Sequence, residues 1–338
     1  MKRMKAVQVG KAGGNWEIVE REVPEPGENE VRIKVEACGV CHSDLLVKEG
    51  MRPGLRYPRI PGHEIAGRID AVGSRVTAWK PGQRVGVGWH GGHCFQCEPC
   101  RRGHFILCKF EKITGISHDG GYAEYMISPA EAVAAMPEEL PAAEAAPLLC
   151  AGITVFNSLR NSGARPGDRV AVQGVGGLGH LAIQYANRMG FETVALNRGT
   201  EKQPLAVQLG ARHYVDTAAV DPAEGLQKLG GVRVALATAP DAKSISALVR
   251  GLGPDGKLLV IGAAMEPLSI SALDLIGARR SIQGWPSGTA VDSEDTLRFS
   301  ALTGIRPLIE KFPLAQAAQA YEQMITGKAR FRAVLTMT

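Results

Sequence analysis

The amino-acid sequence predicts an α/β protein that combines a β-rich domain with a domain built on a doubly wound parallel sheet. Its 338 residues are about twice the usual length of one domain. Up to residue 150, short strand-like runs are separated by Gly and Pro, whereas from residue 151 strands alternate with longer helical periods. We expect residues 1–150 and 291–338 to form the first domain and residues 151–290 to form the second.

Four strands are predicted in the first domain, at residues 5–9, 31–35, 65–72 and 84–88. In the second of these, Val31, Ile33 and Val35 alternate with polar residues, which is the pattern of a half-buried strand. Pro-Gly pairs, which are typical of turns between such strands, occur at 26–27, 53–54, 61–62 and 81–82.

The second domain begins with a predicted strand, turn, helix and strand. The strand 169–173 leads directly into Gly174-Val175-Gly176-Gly177-Leu178-Gly179, and the next strand covers 193–196. Between them, apolar residues recur at helical spacing, at Leu178, Leu181, Ala182, Tyr185, Ala186 and Met189. The alternation continues with strands at 232–236 and 258–261 around a helix at 242–249. After residue 290 we expect a helix, turns and a last strand at 331–336, and we expect this tail to return to the first domain.

The glycine-rich turn predicts a dinucleotide site. A GxGxxG pattern alone is weak, but here Gly174, Gly176 and Gly179 follow a strand and open a helix, where a backbone can approach a pyrophosphate. Gly177 and Leu178 lie within the same turn and are expected to contact the cofactor.

The residues at the end of the next strand indicate which dinucleotide binds. A carboxylate there would hold the ribose hydroxyls and repel a 2′-phosphate, but the chain has Asn197 and Arg198, with Lys202 nearby. This pattern favours NADP(H) over NAD(H). The alternative is that Asn197 bonds a ribose hydroxyl while Arg198 stacks on adenine, so that NAD(H) is accepted.

Four cysteines predict a structural zinc site. Cys94, Cys97 and Cys100 are each separated by two residues, and Cys108 follows after seven more. Four thiolates at such spacing can surround one tetrahedral zinc ion. A disulfide staple is the alternative, but the sequence shows no sign of secretion, and cysteine clusters in a reducing compartment are more often metal sites.

A second metal site is predicted from residues far apart in the sequence. Cys41, His63 and Cys150 would supply two thiolates and an imidazole, which leaves the fourth position of a zinc ion open for catalysis. Taken singly, Cys150 reads as a buried small apolar residue and His63 as a structural histidine. Their occurrence beside a four-cysteine site and a dinucleotide turn favours the zinc site. We expect Cys38, which has no assigned partner, to pack in the core.

Composition and charge argue against several other classes of protein. The formal net charge of +5 comes from scattered residues without interleaved aromatics, so no nucleic-acid partner is expected. The basic N-terminus is followed only by the short run 6–9, which is too short for a signal peptide, and no run is long enough to span a membrane. We therefore expect a cytoplasmic protein without a membrane partner.

The motifs together resemble those of zinc-dependent alcohol dehydrogenases of the medium-chain dehydrogenase/reductase superfamily. Besides the Cys94–Cys108 segment, the matching stretches are Gly-Val-Cys-His-Ser-Asp at 39–44, Pro-Gly-His-Glu at 61–64, Gly-Gly-Tyr-Ala-Glu-Tyr at 120–125, Cys-Ala-Gly-Ile-Thr at 150–154 and the glycine turn. The resemblance implies a GroES-like catalytic domain formed by both termini, a Rossmann domain inserted between them, and a homotetramer more often than a homodimer.

The resemblance also implies roles for individual residues. Cys41, His63 and Cys150 would bind the catalytic zinc, and Glu64 would replace water or substrate as a ligand. Asp44 would accept a hydrogen bond from His63 and fix its tautomer. Further roles are implied for Ser43 at the substrate oxygen, His42 at the cofactor pyrophosphate and Thr154 beside the nicotinamide.

One position departs from the family pattern. Relatives pass the alcohol proton through the cofactor ribose to a histidine, and Leu46 occupies that place here. Leucine cannot carry a proton, so we expect Ser43 and the ribose to release it to water or to another group.

For the substrate pocket, the candidates are Ser43, Met51, Trp89 and Trp285, although the three larger side chains could equally pack in the core. A narrow pocket at Trp89 would favour small to medium primary alcohols and aldehydes, including aromatic ones. The implied reaction is zinc-assisted hydride transfer between alcohol and nicotinamide.

Three alternatives remain from the sequence. One is an NADP-dependent cinnamyl-like aldehyde reductase, which Asn197 and Arg198 favour. Another is a polyol or formaldehyde-type dehydrogenase; Cys150 counts against the polyol enzymes, which more often lack that ligand. The third is a non-catalytic zinc- and nucleotide-binding protein, which would tend to lose Cys41, His63 or Cys150.

Overall fold

The computed structural model describes residues 2–337, which form two compact units. The first unit contains Met1–Ile153 and Ser287–Thr338, and the second contains Thr154–Pro286. The sequence placed the divisions after residues 150 and 290. The first division differs because it falls inside a continuous helix, Ala151–Arg160, where no turn residue marks it.

The first unit is mostly β-sheet. Its strands are β1 Arg3–Val9, β2 Trp16–Glu22, β3 Glu30–Gly39, β4 Ile65–Val72, β5 Arg84–Val87, β6 Tyr125–Pro129, β7 Val133–Ala135, β14 Ile309–Pro313 and β15 Arg332–Thr336. Its helices are α1 Leu45–Lys48, α2 Glu98–Arg101, α3 Ala142–Ala145, α10 Ala290–Thr303 and α11 Ala317–Ile325, and α4 Ala151–Arg160 begins in it.

The second unit alternates strands and helices. Its strands are β8 Arg169–Gln173, β9 Glu192–Asn197, β10 His213–Asp216, β11 Val232–Ala237, β12 Leu252–Val260 and β13 Ser281–Gly284. Its helices are α5 Gly179–Arg188, α6 Gln203–Gln208, α7 Pro222–Lys228, α8 Ala242–Ala247 and α9 Ala272–Ile276.

The sheet of the first unit brings distant segments together. It runs in the order β14-β15-β3-β4-β5-β7, with β6 paired to β3 and β1 paired to β2 in a separate hairpin. β15 pairs antiparallel with β3, so the C-terminal segment completes a sheet that begins near the N-terminus. Its core is lined by alternating residues of these strands, such as Val31, Ile33 and Val35, which are all buried.

The sheet of the second unit is parallel throughout and runs in the order β10-β9-β8-β11-β12-β13. This is the strand order of a dinucleotide-binding Rossmann fold, in which β8, β9 and β10 extend the sheet to one side and β11, β12 and β13 extend it to the other. The predicted α/β fold class is therefore confirmed. Strand β8 has the bounds predicted for it, whereas β12 begins six residues earlier than the predicted strand 258–261.

Among the described residues, no single helix is long and apolar enough to cross a membrane. Only the consecutive stretches Ala142–Leu149 and Ala151–Arg160 pass a test of length and hydropathy together, and the chain bends by 54° between them.

Candidate metal and cofactor sites

Four candidate metal ligands come together from three segments of the first unit that adjoin the ends of β3, β4 and α4. Cys41 follows the end of β3, and His63 and Glu64 precede β4, which pairs with β3 so that Cys38 lies opposite Ile65. Cys150 lies at the start of α4. One ligand atom from each of Cys41, His63, Glu64 and Cys150 lies within 4.8 Å of all the others.

The geometry of this cluster fits a zinc ion. The sulfur atoms of Cys41 and Cys150 lie 3.8 Å apart, which is too far for a disulfide bond and matches the ~3.8 Å edge of a tetrahedron with Zn–S bonds of ~2.3 Å. His63 Nε2 and Glu64 Oε2 are buried and have no hydrogen-bond partner. Buried polar atoms without a partner are rare, and a metal ion between them would satisfy both.

The electrostatics of the cluster favour a positive charge at its centre. Cys150 donates to the sulfur of Cys41, and His63 lies beside it, so the pKa of the Cys41 thiol is well below its ordinary value. Burial alone would lower the pKa of His63, but the nearby charges of Cys41 and Asp44 raise it well above its ordinary value. Negative groups that stabilise the proton on an imidazole also stabilise a divalent cation bound to the same nitrogen.

Two glycines leave space for the ligands. A Cβ atom on Gly39 would lie 1.8 Å from Oε2 of Glu64, so a side chain at residue 39 would displace this carboxylate. Gly62 has a φ of 98°, a left-handed conformation, and a Cβ atom there would lie 2.4 Å from the ring of Tyr122. The Pro-Gly-His-Glu stretch therefore needs glycine before His63 for both conformation and space.

Arg332 is a site residue that was not predicted from the sequence. It begins β15 and forms a buried ion pair with Glu64. Burial raises the pKa of the Glu64 carboxyl to about 7, although the Arg332 guanidinium acts in the opposite direction. No local motif marks Arg332; only the pairing of β15 with β3 brings it to the cluster.

Asp44 lies beside His63 in the buried cluster. Its Oδ1 atom is 3.5 Å from Nδ1 of His63, and its Oδ2 atom accepts hydrogen bonds from the Cys41 backbone N–H and the Tyr122 hydroxyl, both at 2.9 Å. Burial, followed by the charge of Asp44, raises the pKa of Tyr122 well above its ordinary value. The Tyr122 hydroxyl therefore keeps its proton and donates a hydrogen bond to Asp44.

The remaining predicted residues of the first unit lie at different depths. Trp89 contacts His63 edge-on, with ring centroids 5.0 Å apart, and packs in an apolar cluster that includes Leu46. Ser43 is half-buried and His42 is exposed. Met51 is 46% exposed, so it is not part of the buried core.

The four-cysteine segment forms a second cluster in the first unit. The sulfur atoms are 3.4 Å apart between Cys97 and Cys100, 3.8 Å between Cys97 and Cys108, and 4.0 Å between Cys94 and Cys100. These distances lie near the ~3.8 Å of a zinc–sulfur tetrahedron. Backbone N–H groups donate to Cys94, and hydrogen bonds of the same kind lower the pKa of Cys97 to about 6, which favours thiolates as metal ligands. All four cysteines are free of disulfides.

The glycine turn of the second unit fits a dinucleotide. Gly174 has a φ of 91°, and a Cβ atom on Gly179 would lie 1.7 Å from the Gly174 carbonyl oxygen, so α5 can begin close to β8 only with glycine at 179. Around Gly176 no atom lies within 4 Å of a Cβ position, which leaves open space for a pyrophosphate. His180, which the sequence reading missed, is buried and lies with Nδ1 2.9 Å from the Gly176 carbonyl.

The residues after β9 are tied to this turn. The Asn197 side-chain oxygen accepts a hydrogen bond from the Val175 backbone N–H at 3.2 Å, and Lys202 Nζ donates to the Val175 carbonyl at 2.8 Å. Arg198 is exposed. Thr154 is half-buried on α4, and Trp285 lines a cavity of about 350 Å³ beside the end of β12.

The second unit has a Rossmann sheet with an open glycine turn, and the first unit has a thiolate–imidazole cluster and a four-cysteine cluster. These are the features of a metal- and dinucleotide-dependent oxidoreductase. Comparison with known proteins identifies the family. Residues 27–138 match the alcohol dehydrogenase GroES-like domain family, and residues 177–301 match the zinc-binding dehydrogenase family. The chain belongs to the zinc-dependent alcohol dehydrogenases of the medium-chain dehydrogenase/reductase superfamily, which confirms the resemblance and the predicted enzyme class.

Individual relatives agree with this assignment. Alcohol dehydrogenase notN from Aspergillus sp. is 50% identical over 92% of this chain and 91% of its own length. A cinnamyl alcohol dehydrogenase from Sorghum bicolor superposes with a TM-score of 0.89 at 29% identity, covering 99% of this chain and 98% of its own. CAD from Helicobacter pylori, solved in complex with NADP(H), superposes with a TM-score of 0.88 at 28% identity over the same shares of the two chains.

Proposed function

We propose that this alcohol dehydrogenase holds two zinc ions per chain, one bound by Cys41, His63 and Cys150 and one bound by Cys94, Cys97, Cys100 and Cys108. The observation that carries the proposal is the buried cluster of two thiols, an imidazole and a carboxylate within 4.8 Å of one another. Three ligands leave one position for the substrate oxygen, and Glu64 is near enough to occupy it when the substrate is absent. The four-cysteine site has no such open position and is structural.

When bound at the first site, zinc supplies a Lewis acid that polarises the oxygen of an alcohol or aldehyde. The nicotinamide supplies the hydride acceptor or donor. Asp44 orients the His63 ring, and the indole of Trp89 contacts that ring at a right angle, with the ring centroids 5.0 Å apart. The Ser43 hydroxyl would accept the proton of the alcohol oxygen and pass on its own.

The proton then needs a route that avoids Leu46. This side chain packs with Trp89 and Val47 in an apolar cluster and cannot itself accept a proton. Ser43 would therefore pass the proton on to water, and a bound cofactor would supply ribose hydroxyls for the same transfer.

The apolar wall beside His63 supports a substrate with a hydrophobic side chain. Trp89 joins Leu46, Leu55 and Ile116 in one cluster, so primary alcohols of small to medium size, including aromatic ones, fit the site better than polyols, which need polar partners. Interconversion of aromatic alcohols and aldehydes is the second candidate function, and the likeness to the Sorghum bicolor cinnamyl alcohol dehydrogenase supports it.

NADP(H) is the preferred cofactor in this proposal. Asn197 presents a neutral amide where a carboxylate would repel a 2′-phosphate, and Arg198 is exposed beside it. The NADP(H) bound to the Helicobacter pylori protein supports the same choice. Lys202 contributes by holding the glycine turn through Val175, with His42 and Thr154 as further cofactor contacts.

We also propose a homotetramer, with a homodimer as the alternative, in the cytoplasm. β13 lies at the edge of the six-stranded sheet, and the nearby side chains of Met265, Leu273 and Ile276 are exposed. An open strand edge with apolar neighbours is suited to pairing with a second copy.

Steady-state kinetics of the purified protein test the proposal. Oxidation of a series of primary alcohols and reduction of the matching aldehydes would be measured with NAD(H) and with NADP(H). We expect turnover in both directions, with the higher kcat/KM for NADP(H) and for apolar substrates. Turnover that prefers NAD(H) would overturn the cofactor assignment alone, and a protein without turnover on any alcohol would overturn the reaction.

A further inference from the structure

The buried Asp44 carboxylate contacts two proposed zinc ligands, Cys41 and His63, and a third residue, Tyr122. It is 1% exposed, and its two oxygen atoms contact the Cys41 backbone N–H, the His63 ring and the Tyr122 hydroxyl. One carboxylate thus touches both Cys41 and His63. The third contact, to Tyr122, comes from a residue outside the proposed ligand set.

Backbone hydrogen bonds and side-chain packing fix the position of Tyr122. Its backbone N–H donates to Pro61, and its carbonyl accepts from Val7, so the loop before β6 is tied to two other segments. The side chain is fully buried, with its ring 5.9 Å from that of Trp16. The hydroxyl that bonds Asp44 is therefore shielded from bulk water.

The ring of Tyr122 also depends on the residue before His63. Only the absence of a side chain at Gly62 gives the ring its space, since a Cβ atom there would lie 2.4 Å from it. The same turn of the chain thus positions His63 directly and positions Tyr122 against Asp44. The phenol hydroxyl is the one side-chain donor to Asp44 besides His63 among the described contacts.

We propose that Tyr122 is a positioning residue for the catalytic zinc site. Its hydroxyl holds the Asp44 carboxylate in the orientation that directs Oδ1 to His63 and Oδ2 to the Cys41 backbone. The inference rests on the proposed function, because it takes Cys41, His63 and Cys150 as the zinc ligands. Without this donor, Asp44 reorients to recover a hydrogen bond, and both ligands lose their support.

The test is the rate at which the purified holoenzyme releases zinc to a chromogenic chelator. Cys150→Ser identifies which phase of release belongs to the catalytic site. Tyr122→Phe keeps the ring and removes only the hydroxyl, and we expect it to release this zinc about 10-fold faster, as is typical when a residue supporting a ligand is lost. The release phase of the four-cysteine site should not change. Tyr125→Phe, which removes a partly buried hydroxyl that accepts a hydrogen bond from Lys2 in the same unit, is the matched control.

A double-mutant cycle separates positioning from general loosening. If Tyr122 acts through Asp44, then Asp44→Asn alone accelerates release at least as much, and adding Tyr122→Phe changes the rate by less than about 2-fold. Equal release rates for Tyr122→Phe and wild type, or fully additive effects, would overturn the inference. A wild-type protein with zinc only in its four-cysteine site would overturn the proposed function and this inference together.

Discussion

The sulfur atoms of Cys41 and Cys150 lie 3.8 Å apart although 109 positions separate them in the chain. The two thiols meet because β3 ends and α4 begins at the same side of the first unit. Their distance is that of two corners of a zinc tetrahedron and excludes a disulfide. Both residues therefore serve one metal ion in the proposed enzyme, and the predictions that follow test its parts.

Loss of Cys150 should abolish turnover without unfolding the protein. Cys150→Ser removes a thiolate ligand, so we expect kcat to fall on the order of 100-fold or more, since even residues that only support a ligand cost 10- to 100-fold. Kinetics and thermal unfolding would be measured together. Cys38→Ala is the control, because this buried thiol donates to the Gly39 carbonyl and is not one of the proposed zinc ligands, and the variant should keep its activity. An active Cys150→Ser variant would contradict the ligand assignment.

The four-cysteine site should matter for stability. Cys97→Ser breaks a closed zinc site, and we expect the free energy of unfolding to fall by more than about 2 kcal/mol, because structural zinc contributes directly to folding. Urea denaturation and limited proteolysis within residues 94–108 measure this. Glu98→Gln is the control, since it removes only an exposed ion pair with Arg102, which is worth less than about 1 kcal/mol. Equal stability of the two variants would argue against a structural metal.

Cofactor preference should respond to the residue after β9. Asn197→Asp keeps the oxygen that accepts from Val175 but adds a negative charge that repels a 2′-phosphate. We expect the ratio of kcat/KM for NADP(H) over NAD(H) to fall about 10- to 100-fold, which corresponds to about 1.4 to 2.7 kcal/mol. Arg198→Ala should lower the same ratio by weakening NADP(H) binding while leaving NAD(H) kinetics unchanged. An unchanged ratio in both variants would show that other residues select the cofactor.

A histidine in place of Leu46 should change the pH dependence of alcohol oxidation. With an ordinary pKa near 6.5, an imidazole at this position accepts protons above about pH 6.5. We expect Leu46→His to raise kcat between about pH 6.5 and 8. Leu46→Gln is the control, because it adds polarity to the same apolar cluster without a titrating group. If the two variants have the same pH profile, the position takes no part in proton transfer.

An ion-pair network should support the parallel sheet at neutral pH. A hydrogen bond from His213, together with Arg169, lowers the pKa of Glu192, whose carboxylate lies 2.7 Å from the His213 ring. A lowered carboxyl pKa stabilises the fold above the unfolded value of about 4.3, and the stabilisation is lost as the pH falls through the folded value.

Glu192→Gln should therefore reduce the free energy of unfolding by about 1 kcal/mol at pH 7 and by less below about pH 4. Urea denaturation at both pH values measures the difference. Glu266→Gln, at an exposed position of the same unit, should have no effect at either pH. A deficit that does not depend on pH would mean that the charge of Glu192 is not responsible.

Much of the fold could be predicted because it depends on local patterns. The four cysteines are close in sequence, and the glycine turn lies between an apolar strand and an amphipathic helix. The class of enzyme followed from combining these motifs, and the comparisons confirm it.

Features that depend on strand pairing could not be predicted. Arg332 reaches Glu64 only because β15 pairs with β3, and Tyr122 reaches Asp44 only through the loop before β6. Strand β12 begins at Leu252, in a stretch with Gly and Pro that reads as a turn, because pairing with β11 overrides the local preference. In the same way, helix α8 ends at Ala247 and continues as a 3₁₀ turn, where the periodicity predicted one helix to 249.

The most direct test of the two-zinc enzyme is elemental analysis of zinc per chain in an active preparation of the wild type and in a folded preparation of Cys150→Ser. We expect two zinc ions in the wild type and one in the variant, with both proteins folded. One zinc ion in an active wild type, or two in each protein, would contradict the assignment of Cys41, His63 and Cys150 as the catalytic metal site.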